Sequence, residues 1–194
     1  ELARKALKIC RSKADVAAMA ELYDRKGDVE HRKPSGLSWS NLPLHASLIE
    51  GEKVRTLYRS FADILFHEGS HLKLDENSMA IIQRMRADLI RDKTESSVSL
   101  VKGNIYALLS GSSNKKFKVN LKGVKTKIKS KSFWIGQKEK EVLLANYQGK
   151  IEVTARNATV VLGKNKGTKV REAQKPTQPV DLLNAPQPGT PADN

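Results

Sequence analysis

The chain has 194 residues, 39% of them hydrophobic and 29% charged, and a mean hydropathy of −0.50. That is enough apolar material for one real core, and the balance excludes a helical membrane bundle and wholesale disorder. Lysine and arginine number 35 against 21 acids, so the formal charge is +14, which favours anionic partners without naming one.

Residues 1–12 carry Leu2, Ala6, Ile9 and Cys10 at three- and four-residue intervals, with Arg4, Lys5, Lys8 and Arg11 mostly opposite. This spacing predicts a short amphipathic helix. Cys10 is the single cysteine, so neither an intramolecular disulfide nor a cysteine-based zinc cluster is available. No apolar run approaches the roughly 18 to 20 residues that span a bilayer. The chain opens at Glu1 without an initiator Met, which reads as a processed or trimmed product.

From residue 15 to 172 the dominant pattern is two-residue alternation broken by turn residues every eight to twelve positions. That pattern predicts an all-β domain, a sandwich or roll of jelly-roll kind built from many short strands. Val16 to Tyr23, turning at Gly27 and resuming as Asp28 to His31, reads as a hairpin. Further strands are expected at 53–56, 62–66, 71–74 and 80–84. A second group falls at 98–100, 105–109, 117–121, 124–128 and 133–135, and a third at 142–145, 150–154, 159–162 and 169–171. Met79 to Arg91 also satisfies helical spacing through Ile82, Met85, Leu89 and Ile90, and is read as strand. Five of the seven prolines fall after residue 175, so 173–194 reads as an extended tail.

Two stretches carry possible chemistry. His67-Glu68-Gly69-Ser70-His71 spells H-E-x-x-H, in which two histidines one helical turn apart bind zinc and the glutamate acts as general base. That chemistry needs a helix, and Gly69-Ser70 is costly in a helix interior. Ala62, Ile64 and Phe66 alternate before the motif and Leu72 and Leu74 after it, so a β-hairpin turn is the expectation. A zinc hydrolase built on His67, Glu68 and His71 is the alternative from the enzyme class.

The second stretch is basic. From Ser96 to Lys138 there are ten lysines and no acid. Lys125, Lys127, Lys129 and Lys131 fall on every second residue, so a strand would display all four on one face as a ridge about 20 Å long. The functional reading is contact with a polyanion or an acidic partner, and the alternative is a solvated face whose lysines discourage edge pairing. Nucleic acid is not expected, because the ridge has no arginine and no aromatic residue for base stacking. No nucleophile elbow and no Walker spacing occurs, and no cofactor or metal is implied.

The ordered series of turns and strands resembles the FecR domain, an extracytoplasmic module of Gram-negative bacteria. The resemblance begins with Leu22 and Gly27-Asp28-Val29 and continues through Trp39, Leu42, Leu48, Gly51-Glu52 and Lys53 to Thr56. Ala62, Phe66, Gly69-Ser70, Leu72, Leu74 and Asn77-Ser78 follow. In the second half it rests on Leu100 to Ile105, Phe117, Val119 and Gly149 to Val153. The family pattern carries Gly-Thr two residues before a Phe, where this chain has Ser130 and Lys131 ahead of Ser132 and Phe133.

The resemblance implies a tight turn at Glu68-Gly69-Ser70, a periplasmic location and a non-catalytic regulatory role. Well-known members relay the occupancy of an outer-membrane transporter to a sigma factor. The implied partner is an envelope protein or an anionic envelope polymer, met at a sheet edge or at the lysine ridge.

Overall fold

The computed structural model describes residues 18–88, 93–110 and 115–182. The predicted helix at 1–12 and Cys10 lie outside these residues. The described chain is all β. Its strands in order are β1 (Ala20–Lys26), β2 (Val29–Arg32), β3 (Ser40–Asn41), β4 (Ser47–Leu48), β5 (Lys53–Thr56), β6 (Phe61–Phe66), β7 (His71–Leu74) and β8 (Met79–Asp88). They continue as β9 (Lys93–Leu108), β10 (Lys115–Asn120), β11 (Lys125–Gln137), β12 (Glu141–Ala155), β13 (Ala158–Leu162), β14 (Lys166–Arg171) and β15 (Val180–Asp181).

The strands form two layers joined through β9. One runs β4-β1-β6-β7-β9-β11-β12-β14-β15, and the other runs β3-β2-β5-β8-β9-β10. The first part of β9 pairs with β8 and β10, and residues 103–108 pair with β7 and β11. β10 lies parallel to β9, with Lys115 opposite Thr94. A straight strand would place Thr94 about 46 Å from Leu108. The seven steps from Leu108 to Lys115 reach at most about 25 Å. β9 must therefore bend, and it does so at Gly103, where φ is +87°. A Cβ at that position would collide with Ser78, whose buried hydroxyl accepts the Asn104 N–H at 2.9 Å.

The core lies between the layers. β5, β6 and β7 each alternate buried with half-buried residues, as the sequence pattern requires of strands with one face inward. Leu22, Ile64, Leu72, Leu74, Ile105 and Phe133 from the first layer meet Val29, Val54, Ile82 and Leu100 from the second. Phe66 stands edge-on to Phe117 across the gap, with ring centroids 5.3 Å apart. Such edge-to-face contacts add to the burial that holds the layers together.

Two expectations change in detail. The turn at Gly27 does not close a hairpin. β1 pairs with β4 and β6, whereas β2 pairs with β3 and β5, so the chain crosses from one layer to the other. A hairpin would put Leu22 and Val29 in one sheet; the crossing lets each bury from an opposite side. The turn is pinned by Ser60, whose hydroxyl accepts the Asp28 N–H at 2.9 Å. The second change is that three pairs of short expected strands are each one long strand. The expected strands 98–100 and 105–109 lie in β9 except for Leu109, 124–128 and 133–135 lie in β11 except for Val124, and 142–145 and 150–154 lie in β12. The breaks in alternation are bends inside strands, not ends of them.

The bend in the β11–β12 ribbon is built at Ser130 and Gly149. The register shifts between Ser130, Ser132 and Phe133 on one strand, and Gly149 opposite has a φ of +104°. The Ser130 hydroxyl bonds to the Gln148 carbonyl at 2.6 Å and to the Ser132 carbonyl at 2.9 Å. The fully buried Asn146 amide donates to the carbonyls of Gly149, Leu162 and Gly163 at 2.7–3.1 Å. These side chains take up backbone groups that the bend removes from the ladder. The ribbon folds back so that its two ends, at Val124 and Arg156 and at Gln137 to Val142, line one cleft of ≈ 480 Å³.

The segment read as tail from residue 173 runs back along β14 as far as 182. Thr177 donates its N–H to Lys169, β15 pairs with Lys166 and Gly167, and Leu182 donates to Asn165. Pro176 and Pro179 suit this position, because an outermost strand has N–H groups to spare.

The Ser130 to Gly149 bend yields a stability test. A Cβ on Gly149 would lie 2.5 Å from the Lys129 carbonyl oxygen and 2.8 Å from the Ser130 Cα. Gly149→Ala should cost about 2–4 kcal/mol, read as a lowered urea midpoint. Gly163→Ala, where nothing lies within 4 Å, should stay within about 0.5 kcal/mol of the parent. Equal midpoints for the two variants would contradict the assigned role of the bend.

Candidate functional site

Lys125, Lys127, Lys129 and Lys131 all lie on β11 with their side chains exposed, while Thr126 and Ile128 are half-buried and Ser130 and Ser132 are buried. Alternation explains the exposure of all four, and only past the register shift between Ser130 and Phe133 does it reverse, with Phe133 and Ile135 buried. The Lys131 carbonyl accepts the Leu109 N–H at 2.8 Å. On β12, Lys150 is opposite Lys129 and Glu152 is opposite Lys127. Among the described residues only Glu152 answers this row, with its carboxylate 3.4 Å from the Lys127 ammonium. Neighbouring lysines two residues apart sit about 6.6 Å from one another along the strand. That is inside the ~8–10 Å screening length, so their potentials add into one cationic face.

Elsewhere the basic segment is partly neutralised by acids brought from other strands. Lys118 pairs with Glu95 on β9, and Lys122 lies 3.5 Å from Glu172 beyond β14. The structure therefore concentrates uncompensated charge on the solvent face of the β11–β12 ribbon.

The H-E-x-x-H string folds as the turn between β6 and β7. Leu65 pairs with His71, the Phe66 N–H donates to the Ser70 carbonyl at 2.9 Å, and Gly69 has a φ of +88°. His67 is exposed at the tip. His71 lies 3.1 Å through Nδ1 from the Asp63 carboxylate and meets the Tyr23 ring edge-on at 5.2 Å. The motif's chemistry presumes two imidazoles one turn apart on a helix, and the hairpin lacks that arrangement. Among the described residues no group of three or more His, Cys, Asp or Glu is placed to hold a metal ion.

Sequence reasoning missed three features. The cleft has a floor of Val124, Val142 and Val170 and a rim of mixed charge including Lys138, Lys140, Arg156 and Glu141. His31 pairs with Glu52, which is 2% exposed and accepts the Ile49 N–H at 3.0 Å. Trp39 is covered by the guanidinium groups of Arg55 at 4.1 Å and Arg32 at 5.0 Å. Each joins residues from different strands or loops, so no local spacing announces it. On the outer face of the first layer Tyr147 lies beside Tyr106, and burial pushes its hydroxyl up to about 12.

The sequence model of the family described as FecR protein matches residues 52–152. The chain belongs to the FecR family. Two crystal structures of a candidate anti-sigma factor from Parabacteroides distasonis share its fold, with TM-scores of 0.55 and 0.54 at 14% and 15% identity. Each alignment covers 66% of this chain and 59% of the other, so the chain spans well under two thirds of those proteins. Among curated proteins no relative matches. The FecR match begins inside the second layer and ends in β12, while the packed structure extends beyond it on both sides. Ser130 and Lys131 lie at the bend itself, inside the matched range.

Two measurements follow from these geometries. Replacing the four ridge lysines by glutamine should lower affinity for polyphosphate at least about tenfold without changing the circular dichroism spectrum, since solvated lysines contribute little to folding. Unchanged affinity would remove the ridge as an anion site. Zinc titration should show no tight stoichiometric binding, and His71→Ala should leave the titration as it was; tight binding lost in that variant would restore the metal reading.

Proposed function

We propose that this FecR-family chain is a non-catalytic regulatory module of the cell envelope, working in the periplasm. It binds an acidic partner protein through the lysine face of the β11–β12 ribbon. The observation that carries this reading is the row of four exposed lysines, answered among the described residues by a single glutamate. Family membership supplies the regulatory context, and the resemblance to sigma-factor regulators supplies the class of signal: occupancy of an outer-membrane transporter in iron uptake. A fold shared with candidate anti-sigma factors is consistent with that class.

The chemistry of the face suits recognition more than catalysis. Exposed ammonium groups attract and orient an anionic surface, and they speed encounter at low ionic strength. They offer no nucleophile activated by a base and no enclosed site from which water is excluded.

A photoreactive residue placed at position 129 in the native cell tests the reading. It should yield a discrete crosslinked protein, whereas the same residue at Leu37, 94% exposed on the loop between β2 and β3, should not. Indistinguishable adducts from the two positions, or none from position 129, would remove the proposed contact.

A further inference from the structure

A sheet edge displays unpaired backbone donors and acceptors, and natural sequences guard such edges with charge, proline or a covering segment. Among the described residues β13 has none of these guards. Ala158-Thr159-Val160-Val161-Leu162 is uncharged and free of proline, and among the described residues it pairs with β12 alone. Arg156 and Asn157, with φ of 48° and 59°, form a two-residue turn that makes Ala155 and Ala158 the first hydrogen-bonded pair. In an antiparallel ladder the bonded pairs then recur every second residue. The backbone groups of Ala158, Val160 and Leu162 therefore face β12, and those of Thr159 and Val161 face away from it. Thr159 is exposed and Val161 is 51% exposed.

The neighbouring strand shows that this side of the sheet accepts another strand. β14 follows β13 along the same side of β12, and its outer edge is covered by the chain's own residues 177–182. Within the described residues that cover reaches Leu182, which donates to the Asn165 carbonyl at 3.1 Å.

The charge around the open edge selects the occupant. Across the solvent face Lys125, Thr154 and Thr159 form one row, and Lys127, Glu152 and Val161 the next. Lys125, Lys127, Lys129 and Lys150 stand on this face against Glu152, with Lys131 exposed at the bulge beyond them. A second copy of this chain, itself carrying +14, would bring the same cationic face alongside. An added strand would lie about 14 Å from β11 at ~4.8 Å per strand, a gap that a lysine and a glutamate reaching toward each other can bridge.

We propose that the outer edge of β13 is the docking site for an extended acidic segment of a partner protein, added as a further strand beside Thr159 and Val161 and steered by the β11 lysines. This rests on the binding-module reading above and names its contact. Main-chain bonds would supply affinity and the flanking charge would supply selection.

The test uses the full chain and a fluorescein-labelled octapeptide of alternating Glu and Val, with the Lys/Val peptide as control, followed by fluorescence anisotropy. Val161→Pro removes an outward N–H that takes no part in the β12 ladder. The acidic peptide should bind the parent, and Val161→Pro should weaken it at least tenfold with an unchanged urea midpoint. The quadruple Lys→Gln variant should weaken it as well, and the basic peptide should not bind. In the parent, amide exchange of Thr159 and Val161 should slow when the acidic peptide is added, a readout that does not depend on the proline variant folding. Equal binding by parent and Val161→Pro, with no slowing at those amides, would overturn the edge as the site while leaving the lysine face, and the crosslink from position 129, standing. A parent dimer that Val161→Pro dissolves would overturn the choice of an acidic partner.

Discussion

A strand longer than the layer it belongs to has to change direction, and it can do so only where something else satisfies the backbone groups that the bend takes out of the ladder. This constraint organises the molecule. At Gly103 the Ser78 hydroxyl serves the turn of β9, and at Gly149 the Ser130 hydroxyl and the Asn146 amide serve the fold of the β11–β12 ribbon. Each site couples a glycine of positive φ to a buried polar side chain. The pairing is physically required. A glycine alone would permit the bend but leave unsatisfied backbone N–H and C=O groups in a core where each costs on the order of 1–3 kcal/mol. The polar side chain alone would meet a backbone unable to take the angle.

The same bends decide where the surface is charged. Beyond Ser130 the strand joins β9 and runs into the first layer; before it, β11 takes its ladder from β12, with Lys125, Lys127 and Lys129 outward. On the core side of that half-strand Thr126 and Ile128 are half-buried, and they stand opposite Val153 and Ile151 of β12, which are fully buried. Like charges on the solvent side add self-repulsion that this burial has to offset. Asn146 also ties the inner end of the ribbon to Leu162 and Gly163. The cationic face is thus carried by the buried side of β12 together with the bend.

Much of the fold was legible because alternation reports burial directly. β5, β6 and β7 were expected within a residue of where they lie, since each has one face in the core and one in solvent. The lysine ridge was legible for the same reason. What alternation does not report is pairing. It marks where a strand changes face but not whether the chain turns back, switches layer or merely bends, so Gly27 read as a hairpin and Gly103 and Gly149 as strand ends. The cleft and the Arg55–Trp39 contact were hidden because their residues come together only after the layers close. Residues 177–182 were hidden by composition: prolines that suggest an extended linker are equally suited to an outermost strand.

The H-E-x-x-H string shows the reverse case, where a local pattern names a chemistry that the surrounding pattern forbids. Its two histidines are four residues apart, but the spacing has meaning only on a helix, and Ala62, Ile64, Leu72 and Leu74 bury as two strands. Local and longer-range signals disagreed, and the longer-range signal prevailed because the burial of four aliphatic side chains outweighs a turn's choice of residues. The edges of the sheet carry a subtler disagreement. One strand of the ribbon is crowded with lysines that would repel an intruding chain of like charge, while the adjoining β13 exposes an apolar, uncharged edge. A sequence selected only for solubility would have spread a lysine onto that edge. Keeping the charge beside it but off it leaves the backbone open to a strand of opposite sign, and departures of this kind from local self-protection are where function is expected to reside.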